Sequence, residues 1–153
     1  MGSALLSPCG TYRYSLNRSW GHGATVLFVM LNPSVADGSR DDPTIRRCVG
    51  FAKAWGFGAL SVANLFAMRS TDPSVLLSAP DPVGPDNDAV IFELARRASL
   101  VVAAWGAHKA GACRVADVRR LLPKPVCLGL TSSGHPRHPL YAPGSAPPVA
   151  LPG

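Results

Sequence analysis

Four short, nearly continuous apolar stretches constrain the fold more than any other feature: TVLFVML (25–31), ALSVA (59–63), LVVAA (100–104) and VCLGL (126–130). A strand with one wet face alternates apolar and polar residues. These do not, so each reads as a strand buried on both faces, the habit of a parallel sheet covered by helices. Helical periods separate them. Asp42-Pro43 pairs an N-cap with a proline suited to the first helical position, and Ile45, Cys48, Val49 and Ala52 follow at one-face spacing until Gly56 and Gly58. Ile91, Leu94, Ala95 and Ala98 mark a second helix over 86–98, and Val115, Val118 and Leu122 a third over about 108–122.

The order β-α-β-loop-α-β-α-β predicts an α/β, three-layer sandwich with a four-stranded, mainly parallel central sheet. Tyr12–Leu16 alternates weakly and reads as an edge strand or hairpin arm. The Pro-rich stretch 72–85 reads as an ordered loop with one helical turn. Residues 1–141 are expected to form a single domain, large enough for a core of its own. Residues 142–153, mostly Pro, Gly and small side chains, are expected to be a loose tail.

Composition narrows the class. At 47% hydrophobic and 16% charged, the chain is globular and not of a disordered type. No apolar run is long enough to span a bilayer, and the N-terminus lacks a basic segment followed by an apolar one, so a cytoplasmic protein without a membrane partner is expected. The four cysteines include no C-x-x-C pair, which favours reduced thiols over a cluster or disulfide framework. A net charge of +6 favours polyanionic partners, and no obligate protein partner is evident.

In an open α/β sheet, ligands bind beyond the carboxyl ends of the strands. Every unusual polar cluster in this chain falls at such an end: Asn32-Pro33-Ser34, Asn64-Leu65-Phe66, Trp105-Gly106-Ala107-His108, and GHPRHPLY (134–141). The expectation is one cleft with two asparagines, up to three histidines, a Trp and a Phe. G-x-G-x-x-G, G-x-x-x-x-G-K-[ST] and G-x-S-x-G are all missing, so dinucleotide, P-loop and hydrolase-elbow chemistries lack support. His135 and His138 have no third ligand at metal-binding spacing, so neither metal nor cofactor is implied. An Asn side chain offers both a donor and an acceptor, as the edge of a planar heterocycle requires.

The stretches YRYSLNRSW, FVMLNPSVADGSRDDPTIRRC, VANLFAMRSTDP, PVGPDND, VVAAWG and GHPRHPLY resemble the bacterial domain-of-unknown-function family numbered 1643, over nearly the whole chain to Tyr141. A more distant resemblance is to the uracil-DNA glycosylase superfamily, through MLNP, VANLF, VVAAWGAHKAG and HPRHPL. It implies a uracil-DNA-glycosylase-like sheet, with Asn32 positioning water and Asn64 reading the base edge. His138, with His135 as the alternative, would stabilise the departing base.

On that resemblance the chain is a DNA-base glycosylase-like hydrolase acting on a flipped damaged, mismatched or modified base. Phe66 or Trp105 stacks on the ring and Ser34 completes the base site. Asp37 or Asp41 stands by as an alternative acid or base, with Asp42 occupied as a helix cap. Arg40, Arg69 and Arg137 contact DNA. Two other classes compete. One is a non-catalytic module for nucleic acid or nucleotide recognition. The other is an enzyme acting on free nucleosides or nucleotides.

Overall fold

The computed structural model describes residues 1–153. The strands are β1 (Gly2–Leu6), β2 (Arg13–Ser19), β3 (Thr25–Met30), β4 (Ala59–Asn64), β5 (Leu100–Ala103), β6 (Val126–Cys127) and β7 (Val149–Ala150). The helices are α1 (Pro43–Ala54), α2 (Asn87–Arg97) and α3 (Val115–Arg119).

All seven strands form one mixed sheet in the order β1-β2-β4-β3-β5-β6-β7. This corrects the expectation of a four-stranded, mainly parallel, uracil-DNA-glycosylase-like sheet. The four apolar stretches do pair in parallel, β4 with β3, β3 with β5 and β5 with β6. Three antiparallel strands extend them. β2 pairs with β4 and carries β1 at one edge, and β7 pairs with β6 at the other. The physical reason is exposure. β1 is GSALL with four of five residues exposed, and both residues of β7 are exposed, so neither carries an apolar run.

Helix α1 lays Ile45, Cys48, Phe51 and Ala52 on one face of the sheet, against Val26, Phe28, Met30, Leu60 and Val62. On the other face Ile91 and Ala95 of α2 and Val118 of α3 pack with Leu27, Val29, Ala63, Val101 and Ala103. The two hydrophobic layers divide the strands by alternate residues, as the pleat demands.

Smaller differences have local causes. The third helical period breaks into a 3-10 turn at Lys109–Gly111 and the five-residue α3. The stretch 72–85 holds a 3-10 turn, Pro73–Leu77, started by Asp72, whose side chain accepts from the Ser74 amide at 3.0 Å. The C-terminal stretch is not loose. Ala142 and Ala146 are buried beside α1, and Leu151 N–H donates to Pro125 O at 3.1 Å. No helix is long and apolar enough to cross a membrane.

Candidate functional site

β3, β4 and β5 end at the same edge of the sheet, with Met30 beside Asn64 and Val29 beside Ala103. The chain beyond each end turns outward, and these turns enclose a cleft of about 550 Å³, within the range of small-molecule sites. Asn32, Ser34, Asn64, Trp105, Arg137 and His138 all line it. Arg13, Asp42 and Tyr141 join them from β2, the start of α1 and the C-terminal loop.

Asn64 continues the face of β4 that carries Leu60 and Val62, one step beyond the core. Its side chain is 1% exposed, and neither Oδ1 nor Nδ2 has a hydrogen-bond partner. The Trp105 indole N–H is likewise buried and unpartnered. Burying such groups without partners costs about 1–3 kcal/mol each, so two on residues that line one cleft are a concentration of unmet hydrogen bonding.

Asn32 differs. Its Nδ2 donates to Ser70 O at 2.9 Å and Pro33 O at 3.1 Å, with Met68 O at 3.5 Å. The amide nitrogen thus ties the loop after β3 to the loop after β4. The Oδ1 atom accepts nothing and remains available in the cleft.

His138 sits on a loop with little freedom. Arg137 N–H donates to Gly129 O at 3.0 Å, Leu130 bridges to Pro136, and Gly106 N–H donates to Pro136 O at 2.9 Å. Gly106 holds φ +73°, a conformation that disfavours a side chain. Leu140 N–H donates to His138 Nδ1 at 3.2 Å, so the neutral ring carries its proton on Nε2. Burial lowers the His138 pKa below the ordinary 6.5, with the Asp42 charge pulling partly the other way. At neutral pH the ring is therefore an uncharged donor.

Asp42 Oδ1 accepts from Ile45 N–H at 2.9 Å and caps α1, while its second carboxylate oxygen makes no hydrogen bond. The other acidic candidates lie outside the cleft. Asp37 Oδ1 accepts from Ser39 N–H at 2.9 Å and Arg40 N–H at 2.8 Å, contacts that lower its pKa and organise its loop. Asp41 pairs with Arg18 at 2.8 Å. Arg18 also grips the carbonyls of Asp37, Gly38 and Arg40, so the Asp-rich loop is built around this arginine.

Phe66 does not line the cleft. The chain leaves the sheet after Asn64, Ala67 N–H meets Val83 O at 3.1 Å, and Phe66 is carried into the α2-side core. His135 lies in a tight turn, its N–H donating to Thr131 Oγ1 at 3.2 Å, away from the cleft wall. Arg40 is exposed on the Asp-rich loop and does not line the cleft, and Arg69 reaches Ser34 O at 3.5 Å without lining it. All four cysteines are free thiols, Cys48 and Cys127 buried, Cys9 and Cys113 exposed.

Sequence reasoning missed Arg13 altogether. It is 2% exposed and lines the cleft, yet its side chain's only hydrogen bond runs from Nη1 to Ala36 O at 2.8 Å, and its Nε is unpartnered. In YRYSL the alternation of Tyr12, Tyr14 and Leu16 assigns Arg13 to the other face, so the sequence carried no signal for its place in the cleft. Asn87 was also missed. It is fully buried at the start of α2, and its Nδ2 donates to Asn64 O and Leu65 O at 3.0 and 3.1 Å.

The chain matches the family model described as "Protein of unknown function (DUF1643)" over residues 13–140, and it belongs to that family. No curated protein and no solved structure matches it.

Proposed function

We propose that this member of the DUF1643 family recognises a nucleobase in its strand-end cleft and hydrolyses the N-glycosidic bond that holds it, acting on a base turned out of DNA. The observation that carries this reading is the Asn64 side chain, buried at the cleft with both amide atoms unspent. A primary amide matches a base edge because it presents one donor and one acceptor side by side. The Trp105 N–H supplies a further donor and Ser34 a hydroxyl.

The remaining groups fit hydrolysis. Asn32 Oδ1 orients a water whose oxygen joins the anomeric carbon of the sugar. The carbon–nitrogen bond breaks with its electron pair going to the base. The free oxygen of Asp42 takes the water proton, which then passes to solvent. His138 Nε2–H donates to the base oxygen as it becomes negative, and a neutral donor suffices for this electrostatic role. The base is protonated by solvent on release. Arg137 at the cleft, with Arg69 near Ser34 and the exposed Arg40 on the Asp-rich loop, meets the backbone phosphates of a basic protein's polyanionic partner. A cytoplasmic setting suits both the free thiols and this partner.

The test is base release from single-stranded and duplex oligonucleotides carrying uracil, mismatched thymine, hypoxanthine or a hypermodified pyrimidine. Alkali-labile strand scission on at least one of them is expected, abolished by Asn64→Ala. Binding without scission on every substrate would leave only a recognition module. Absence of both would refute the reading.

A further inference from the structure

We infer that the cleft takes a ligand bearing an anionic group, a carboxylate or a phosphate, and that Arg13 is the residue that selects it. The inference rests on the base-binding reading and adds the class of ligand to it.

The first observation is backbone geometry. In the pairing of β1 with β2, Leu5 faces Ser15 but Leu6 faces Arg13, so Tyr14 is the extra residue of a β-bulge. Leu16 points into the α1-side core. Ser15 and Tyr14 both line the groove shared with α2 on the opposite face, and Arg13 returns to the α1 side in the cleft. Strict alternation from Leu16 would have placed Arg13 on the α2 face. The bulge re-aims one side chain, and that side chain is the arginine.

The second observation is that the guanidinium is unspent. It is 2% exposed and forms no ion pair with any carboxylate of the chain, although Asp42 is near enough to favour its charge. Of five N–H groups, the hydrogen bond to Ala36 O uses one, a task that a neutral donor could perform. Burial lowers its pKa only to about 10, so it stays charged at neutral pH. A buried, unpaired cation is costly unless something else compensates it.

The third observation is the balance of the cleft wall. Besides the guanidinium of Arg137, which also lines the cleft without a side-chain hydrogen bond, the free donors include Arg13 Nε, Asn64 Nδ2, Trp105 Nε1 and His138 Nε2. Opposite them stand the oxygens of Asn64 and Asn32 and one oxygen of Asp42. A ligand rich in acceptors and carrying negative charge meets that surplus. A guanidinium engages carboxylate or phosphate oxygens through paired N–H donors, which gives direction as well as charge.

Calorimetric titration of the full chain with two matched pairs tests this: 5-carboxyuracil against uracil, and uridine monophosphate against uridine. The expected result is at least about tenfold tighter binding of the charged member of one pair. The pair that responds says whether base or phosphate carries the anion. Arg13→Gln should erase the preference while the neutral member binds as before. Equal affinity within both pairs, with the neutral members bound, overturns this inference and leaves the base-binding reading intact. No binding of any of the four overturns this inference, and the base-binding reading then stands or falls on the oligonucleotide assay. If Arg13→Gln fails to fold, the wild-type comparison still decides whether the ligand is anionic, and Arg137→Gln separates the two cleft arginines: it should leave the preference in place, and its loss there would overturn the assignment to Arg13.

Discussion

The side-chain amide of Asn87 donates to the carbonyls of Asn64 and Leu65 at 3.0 and 3.1 Å, so one buried asparagine spends its donors holding the backbone of another whose own amide is free. Arg114 reinforces the same turn, its Nε donating to Leu65 O at 2.8 Å while Asp88 pairs with its other end. Two buried polar residues of one type thus have opposite jobs, and substitution separates them.

Asn87→Ala removes a donor shared by two buried carbonyls and should cost about 2–3 kcal/mol, read as a lower urea midpoint at unchanged slope. Asn64→Ala breaks no side-chain hydrogen bond in the protein. It should change stability by less than about 1 kcal/mol while abolishing base binding. Equal destabilisation by both would assign Asn64 to the scaffold.

Asp42 combines a cap with a free carboxylate oxygen, and amide substitution divides the two. Asp42→Asn keeps an acceptor for Ile45 N–H, so thermal stability should hold while base release falls by about 100-fold or more. Asp42→Ala should also lose about 1 kcal/mol of stability with the cap. Full activity in Asp42→Asn would remove the carboxylate from the chemistry.

His138 sets a pH dependence of known sign. Burial holds its folded-state pKa below the unfolded value near 6.5. Near and below that value the unfolded chain binds more protons, so stability is full above it and declines as the pH falls. Protonation would also end the acceptance of Leu140 N–H by Nδ1. Urea denaturation between pH 8 and 5 should show a smaller loss of stability in His138→Gln than in the wild type. Identical slopes would contradict the buried, neutral ring.

The C-terminal residues are structural. Deleting 142–153 strips β7 from β6, removes buried Ala142 and Ala146 from the α1 side, and takes away Leu151. Stability should fall by about 2–4 kcal/mol in a denaturant titration. An unchanged midpoint would restore the tail to a loose appendage.

The legible part of the fold was the part that apolar patterning encodes. Four buried strands, the Asp42-Pro43 start of α1 and the face of α2 can be read from residues 25–130 because burial on two sides leaves no polar alternation. β1 and β7 were illegible because edge strands are held by backbone pairing, which GSALL and VA do not advertise. The site divides in the same way. Asn32, Asn64, Trp105 and His138 are brought together because parallel strands deliver their ends to one edge. Phe66 went elsewhere because the alternation that would have placed it stops at Asn64. Arg13 was hidden by a bulge, which reverses alternation by one residue and has no composition of its own.

The most direct measurement is the NMR resonance of the Asn64 side-chain amide, followed with that of the Trp105 indole N–H during titration with single-stranded oligonucleotides carrying uracil, hypoxanthine or a carboxylated pyrimidine. The Asn64 and Trp105 signals should move together and saturate with at least one of these bases, while the Asn87 amide, whose nitrogen already donates to two carbonyls, stays in place. Saturable binding of every oligonucleotide with the Asn64 signal unmoved would contradict a base in the cleft.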